Sequence, residues 1–392
     1  MANNLGGFDL TDFAATAIST LHDKLGIAAR VYRDYEQAPQ QKGNTITIGK
    51  PSKGTVQDFG SGKVDLADTS VQITLDYHRE IHFALTEKQL HGTMDDIVQV
   101  HALPQIKELA GDVDTKLAAL YKDIPWAVDV NTTAGSEVNN IVDPSVVLAD
   151  LGVNIEDTGN MFLGVNATEY GRLLKSGLVQ ADVVGEEAAR LMALQGSFGM
   201  YAGINVFRSG KIQTHTSGTA INGGDAVGAL NGAATAGATS IAVDGFTGSE
   251  TFAIGDAFVI AGDTQRYVVT AAATLSTGAA TLSISPALVA NYADNAVVTF
   301  EAGASTKAES FSANLMFHRE AFALATAPLQ SEQGSQQARN QGFMVENIVD
   351  DETGIAMRFM MWYERATGLN VAADVLYGVK TLDPNKAVRL RG

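Results

Sequence analysis

A chain of 392 residues, 45% apolar and 18% charged, is long enough to bury two or three cores, which excludes a wholly disordered protein. The absence of cysteine excludes disulfides, thiolate nucleophiles and Cys-ligated metal centres, and a formal charge of −17 argues against gripping nucleic acid through its phosphates. No apolar run approaches the ~20 residues that cross a bilayer, and MANNLGGFDL lacks the basic-then-apolar pattern of a signal peptide.

In chain order, DLTDFAATAISTLHDKL (9–25) predicts a short amphipathic helix with Phe13, Ile18 and Leu21 on or near one face. Two alternating runs, NTITIGK (44–50) and VQITLDYHREIHFAL (71–85), flank a polar, Gly-containing excursion and predict a long β-hairpin arm. Its middle is too poor in apolar side chains to pack on its own subunit, so it is expected to lie on a neighbour. Residues 93–123 predict the longest helix, with Ile106, Leu109, Ala110, Val113, Leu117, Leu120 and Tyr121 on one stripe. Thr93 and Asp96 resemble a capping box, and Pro104 is expected to kink or divide the helix. If continuous it would span ~45 Å, the length of a spine bridging two regions.

Between 141 and 220 helical and extended patterns alternate: SVVLADLGV and ATEYGRLLKSG read as helices, NMFLGV and INVFRSG as strands. Residues 222–303 differ in composition, being rich in Ala, Gly, Thr and Ser, with Arg266 the only cation against seven carboxylates. Five short β signals recur there (TSIAV, DAFVIAG, QRYVVTA, ATLSIS, AVVTFE), which predicts a small barrel or sandwich set into a larger α+β body. Arg266 could pair with one of these carboxylates, with a solvated barrel surface the default reading. FMVENIV, IAMRFMMWYE and VAADVLYGVKTL close the chain as strands. Met357, Phe359, Met361 and Tyr363 alternate with Arg358, Met360 and Trp362, as in a central strand covered on both faces. Lys386, Arg389 and Arg391 read as a solvated basic tail.

Motifs that carry chemistry are scarce. His78 and His82 would share a face on a helix and chelate zinc, but their run alternates as a strand, which sets them ~13 Å apart. Gly60-Ser61-Gly62-Lys63 lacks the earlier glycine of a phosphate loop, Gln57 standing in its place, and reads as a hairpin tip. The paired acids Asp95/Asp96, Glu186/Glu187 and Asp350/Asp351/Glu352 have no base or nucleophile coupled to them and read as a helix start, a solvated face and a loop. No catalytic, cofactor-binding or metal-binding residue is assigned, no cofactor is expected, and the chain does not read as an enzyme.

In this order the elements resemble a tailed-bacteriophage major capsid protein with the fold first seen in the Hong Kong phage capsid, which encapsulin compartments share. The resemblance implies an N-terminal arm at 1–43, an extended loop at 44–90, and a peripheral domain with the spine helix at 91–140 and 341–392. It implies an axial domain at 141–221 and 304–340, carried by MFLGVNATEYGRLLKSG, GMYAGINVFRSGKI and SANLMFHREAFALATAPL, and an inserted all-β domain at 222–303. GDAFVIAGDTQRYVVT (255–270) resembles the extra β-barrel domain of coat proteins of the Salmonella short-tailed transducing phage group. The implied function is self-assembly into hexamers and pentamers of an icosahedral head that encloses double-stranded DNA without sequence-specific contacts. The arm is too short for a fused scaffolding domain, so a separate scaffolding protein is implied, with a portal as a further partner, no membrane, and the presence of a decoration protein left open. The implied location is the virion, assembled in the cytoplasm of a bacterial host. Some relatives crosslink a loop Lys to a neighbour's Asn; Lys50, Lys53, Lys63 and Asn347 lie in matching places, with ordinary solubilising lysines the default. The rival readings are an encapsulin-like compartment, a metal-dependent hydrolase built on His78, His82 and His91, and a surface adhesin.

Overall fold

The computed structural model describes residues 17, 19, 25–33, 45–50, 69–85, 103–133, 136–175, 199–222, 226–301, 310–327, 329, 344–349, 354–366 and 368–392. Packing divides the chain into two units, Met1–Asp114 with Ala323–Leu382 and Thr115–Phe322 with Asp383–Gly392. The helix expected over 9–25 falls outside the described residues except for Ala17 and Ser19, which are helical, and Leu25, which is buried but not helical.

In the first unit, Thr45–Lys50 pairs antiparallel with Thr69–Thr74, so that Ile46 stands opposite Ile73 and Ile48 opposite Val71. These apolar pairs share a face and pack on Ala323, Ala325 and Leu382, which anchors the base of the arm in its own unit. The polar stretch beyond, 51–68, lies outside the described residues. The run 71–85 does not continue as one strand. It breaks at Leu75–Asp76, where the chain crosses closely over Gly378; a side chain there would strike the Thr74 carbonyl and the Ile73 side chain. Tyr77–Leu85 then pairs with Gly368–Thr381. That long strand lies within a five-stranded sheet ordered Phe322–Ala327, Gly368–Thr381, Ala356–Glu364, Met344–Val349, with Tyr77–Leu85 as its further partner. Ala356–Glu364 is internal, as its two-sided apolar pattern predicts: Met357, Phe359 and Met361 are buried and Met360 and Trp362 half-buried, but Tyr363, near the strand's end, is exposed.

The helical stripe appears as helix α1, Leu103–Ala118, continued by a 3-10 turn over Ala119–Asp123. Ile106, Leu109, Ala110, Val113, Leu117 and Tyr121 are buried, and Leu120 is half-buried. Pro104 is the second residue of the described helix; Thr93 and Asp96 lie outside the described residues. Asp114 accepts hydrogen bonds from the Gly26 and Ala28 backbone N–H groups at 2.7 and 2.9 Å, tying a short 3-10 turn (Ala28–Arg30) to α1. Burial pushes its carboxyl above the usual range, and those N–H groups oppose the shift.

The second unit holds helix α2 (Asn139–Asp150), helix α3 (Ala167–Lys175) and a mixed sheet. The sheet runs Ala127–Asp129, Ala387–Arg391, Ser310–His318, Met161–Val165, Ile204–Arg208, Gly199–Tyr201, and Thr214–Thr216 also pairs with Ser310–His318. Two of its pairings are parallel, 387–391 with 127–129 and 161–165 with 204–208. The turn between Tyr201 and Ile204 uses Ala202 and Gly203, both at positive φ, the backbone of a tight hairpin. The basic end is not a solvated tail. Ala387–Arg391 is an interior strand, Val388 and Leu390 face the core of the unit, and Arg389 is 2% exposed.

Residues 227–300 form a closed six-stranded barrel ordered Ser240–Asp244, Ala280–Ser285, Arg266–Val269, Ala257–Ile260, Val297–Phe300, Val227–Leu230. Five strands match the five sequence signals. The sixth, Val227–Leu230, carries glycine and alanine, too weak a β pattern to read. Gly228 is required there because a Cβ would overlap the Phe246 ring and approach the Asp244 carbonyl at 2.7 Å. The core is aromatic: Phe300 stacks on Phe252 at 4.4 Å and meets Phe258 at 5.2 Å and Phe246 at 6.0 Å. The first and last barrel strands pair with each other. So do the strands outside them, Thr214–Thr216 and Ser310–His318, with His215 opposite Phe311. The chain therefore leaves and rejoins the mixed sheet across a single antiparallel pairing.

Candidate functional site

The polar side chains that the fold gathers lie chiefly where the barrel loops meet the mixed sheet, all within the second unit. The C-terminal strand brings Arg389 and Arg391 to the barrel base. Arg389 donates through Nη1 to the Gly255 carbonyl at 2.7 Å. Burial lowers its pKa to about 10, with Glu301 opposing, so the guanidinium stays charged at neutral pH. Arg391 donates to Asp129 at 2.8 Å and lies 3.4 Å from Glu301. Glu301 also pairs with Arg266, whose guanidinium reaches the Ala127 carbonyl at 3.2 Å and sits 5.8 Å from the Trp126 ring centre. Arg266 is thus an anchor of the barrel against the sheet rather than a solvated barrel residue.

Beside this ladder lies a buried relay. His215 Nε2 is 3.0 Å from Asp256 Oδ1, and its Nδ1 is 3.0 Å from the Tyr121 hydroxyl. Asp256 accepts from the Gly218 and Ala253 backbone N–H groups through its other oxygen, at 3.1 and 2.6 Å. A carboxylate so placed accepts a hydrogen bond from Nε2–H, which leaves Nδ1 to accept from the Tyr121 hydroxyl. Burial pushes the Tyr121 hydroxyl up to about 12, which keeps its proton in place. Tyr, His and Asp in a row resemble a catalytic relay, but the space beside them is about 10 Å³, room for a single water and no substrate. Its chemistry is to hold the loop Ala253–Asp256 on the sheet.

In the first unit, Asp374 is 1% exposed and accepts from Arg358 Nε at 2.9 Å, with Arg358 Nη2 on its second oxygen and His78 Nε2 3.0 Å away. His82 instead meets Asn370 at 3.1 Å and stacks on Trp362. Both histidines lie on the strand Tyr77–Leu85, as their alternation predicts, and each has its own partner. His91 lies outside the described residues, among which no cluster of three metal-ligating side chains occurs. Asp112 accepts from Tyr377 at 2.7 Å and from Arg79 at 3.0 Å. Of the crosslinking candidates, Asn347 is exposed on Met344–Val349, Lys50 ends the first arm strand, and Lys53 and Lys63 lie outside the described residues. So do Gly60–Lys63 and the three groups of paired acids.

Sequence reasoning missed Tyr121, His215, Asp256 and Arg389. Only Arg389 left a signal: in AVRLR the cations interleave with Val388 and Leu390, a period-2 pattern after the Asp383-Pro384 turn.

No protein-family model matches the chain, and no curated protein matches its sequence. Among solved structures it is similar to a Mycobacterium phage Che8 chain, at 16% identity over 93% of this chain and 90% of that one, with a TM-score of 0.46. It is similar to a chain of the bacteriophage PhiM1 mature capsid, at 13% identity over 90% and 83% with a TM-score of 0.41. It is also similar to a virus-like particle of Pyrococcus furiosus, at 9% identity over 97% and 98% with a TM-score of 0.41.

Proposed function

We propose that this chain is the major capsid subunit of a tailed phage, a protein whose work is assembly. The observation that carries the reading is the order and form of its own elements. A two-stranded arm precedes a long helix, a mixed sheet is interrupted by a closed barrel, and the C-terminal strands return to sheets begun earlier. This is the order that the sequence resemblance implies for the Hong Kong phage capsid fold. The polar clusters support it from the other side: the charged ladder and the His215 relay hold segments of the fold in place.

On this reading 222–303 is an inserted domain, as the paired strands on both sides of the barrel favour. Residues 1–43 act as an arm, 44–90 as an extended loop that overlaps the next subunit, and 141–221 with 304–340 as the axial domain. Copies tile hexamers and pentamers, with strength drawn from many modest contacts acting together. The net charge of −17 suits a wall past which packaged DNA slides. A separate scaffolding protein and a portal complete the assembly, in the cytoplasm of the bacterial host.

Expression alone and with a co-expressed scaffolding protein, followed by negative-stain electron microscopy, tests the reading. Uniform shells, tubes or polyheads are the expected product. A clean monomer or small oligomer in both samples would sink it.

A further inference from the structure

Helix α2, NNIVDPSVVLAD, contains no cation, and its negative C-terminal end has no basic residue in the last turn. Its inner side buries Ile141, Pro144 and Leu148. Its outer side leaves Val142 36% and Val146 50% exposed, with Asp143 and Asp150 exposed beside them. Residues 142, 146 and 150 are four apart and form one stripe along the helix. The stripe runs into a cleft of about 390 Å³ lined by Trp126, Val147, Asp150, Leu151, Gln265 and Arg266, among others. That volume lies in the range of side-chain-binding and ligand-binding clefts. The Arg266 guanidinium at its wall is already held by Glu301 and the Ala127 carbonyl.

We propose that this face and cleft receive a cationic surface of a second copy of the chain, in a head-to-tail contact. The contact rests on the shell reading and deepens it by naming a surface. Charge decides the geometry. Two copies meeting through α2 on both sides would oppose four aspartates and two negative helix ends, so a two-fold contact through this face is disfavoured. A heterologous contact remains, the kind that closes rings. The same unit carries a matched surface in the last turn of α3, where Lys175 is exposed and Arg172 half-buried. The carboxylate of that helix, Glu169, is buried and paired with Arg172 at 2.6 Å, so it does not cancel Lys175. A lysine stem lies along Val147, Leu151 and Trp126 while its ammonium reaches Asp150.

The test compares shell yield, by sedimentation and electron microscopy, for the wild type, Asp143→Lys/Asp150→Lys, and that variant with Lys175→Glu added. The expected result is a loss of about tenfold in the charge-reversed protein, with its melting temperature unchanged, and recovery of most of the yield on adding Lys175→Glu. Yield within twofold of wild type in the reversed variant overturns the contact. A loss that Lys175→Glu does not restore overturns the pairing with α3. Should the reversed protein fail to fold, Val146→Asn, on the exposed stripe, replaces it: a loss of yield at unchanged melting temperature supports the contact, and a yield within twofold of wild type overturns it. A wild type that forms no shells under any condition removes the shell reading. The contact is then judged by sedimentation equilibrium of the soluble protein, where self-association equal in wild type and Asp150→Lys overturns it and a loss in the variant supports it.

Discussion

The barrel and the five-stranded sheet solve the problem of burying strands in opposite ways. The barrel closes on itself, leaves no edge to cover, and fills its interior with Phe246, Phe252, Phe258, Phe300 and Tyr267. The five-stranded sheet is open and places an ion pair, Asp374 with Arg358, in its central strands. A dry aromatic core draws its stability from area removed from water, which is non-directional. A buried charge contributes only while its partners are in place and costs heavily once one is removed. Each region is therefore fragile in its own way: the barrel to lost volume, the sheet to a lost partner.

The largest effect is expected from Phe300→Ala. It removes the ring that meets three other phenylalanines, and truncations of this kind cost about 3–5 kcal/mol. Calorimetry should show the loss, with faster hydrogen exchange across Val227–Phe300. Asp374→Ala comes next, at about 3 kcal/mol, because it strands the largely buried Arg358. The comparison sharpens if Asp374→Leu/Arg358→Met recovers most of that stability in chemical denaturation. Equal destabilisation by single and double variants would show that the pair, not the orphaned charge, matters.

Gly228→Ala probes the barrel from the opposite direction, by overfilling it. A Cβ there meets the Phe246 ring, and overpacking of a filled core costs about 2 kcal/mol, read as a lower melting temperature. The smallest effect concerns pH. Burial acts to raise the Asp263 carboxyl, but hydrogen bonds from Tyr267, Tyr292 and backbone N–H groups outweigh it and hold its pKa below the usual range. A depressed carboxylate stabilises the fold above its unfolded pKa, and that contribution is lost as pH falls through the folded value. Asp263→Asn should therefore cost about 1 kcal/mol at neutral pH, a figure kept low by solvent screening, and nothing once the wild-type carboxyl is protonated. Melting curves from pH 7 down to about 3 would show the two proteins converging.

Much of the fold was legible. The stripe from Ile106 to Tyr121 specified α1, and alternation specified the barrel strands from Ser240–Asp244 to Val297–Phe300 apart from Val227–Leu230. The strand character of the His78–His82 run was also legible, and strand spacing alone holds the two histidines too far apart to share one ion. These readings share a physical basis: side-chain periodicity is a local property, imposed by 3.6 residues per helical turn and two per strand repeat.

The junction was not legible. Arg266 and Glu301 lie far in the chain from Arg389 and Arg391, and His215 meets Asp256 and Tyr121 only because the barrel returns to the sheet beside its point of departure. In the sequence, a cluster of cations near the end reads as solvated because charge usually seeks water. Burial of Arg389 depends on which carbonyl and which carboxylate the rest of the chain delivers to it. Local pattern was enough for most of the elements, for the compositional break at 222–303 and for the absence of common catalytic motifs. Tertiary structure alone decided the sixth barrel strand, the division of the 71–85 run between two sheets and the polar ladder beneath the barrel, because each rests on contacts between residues far apart in the chain.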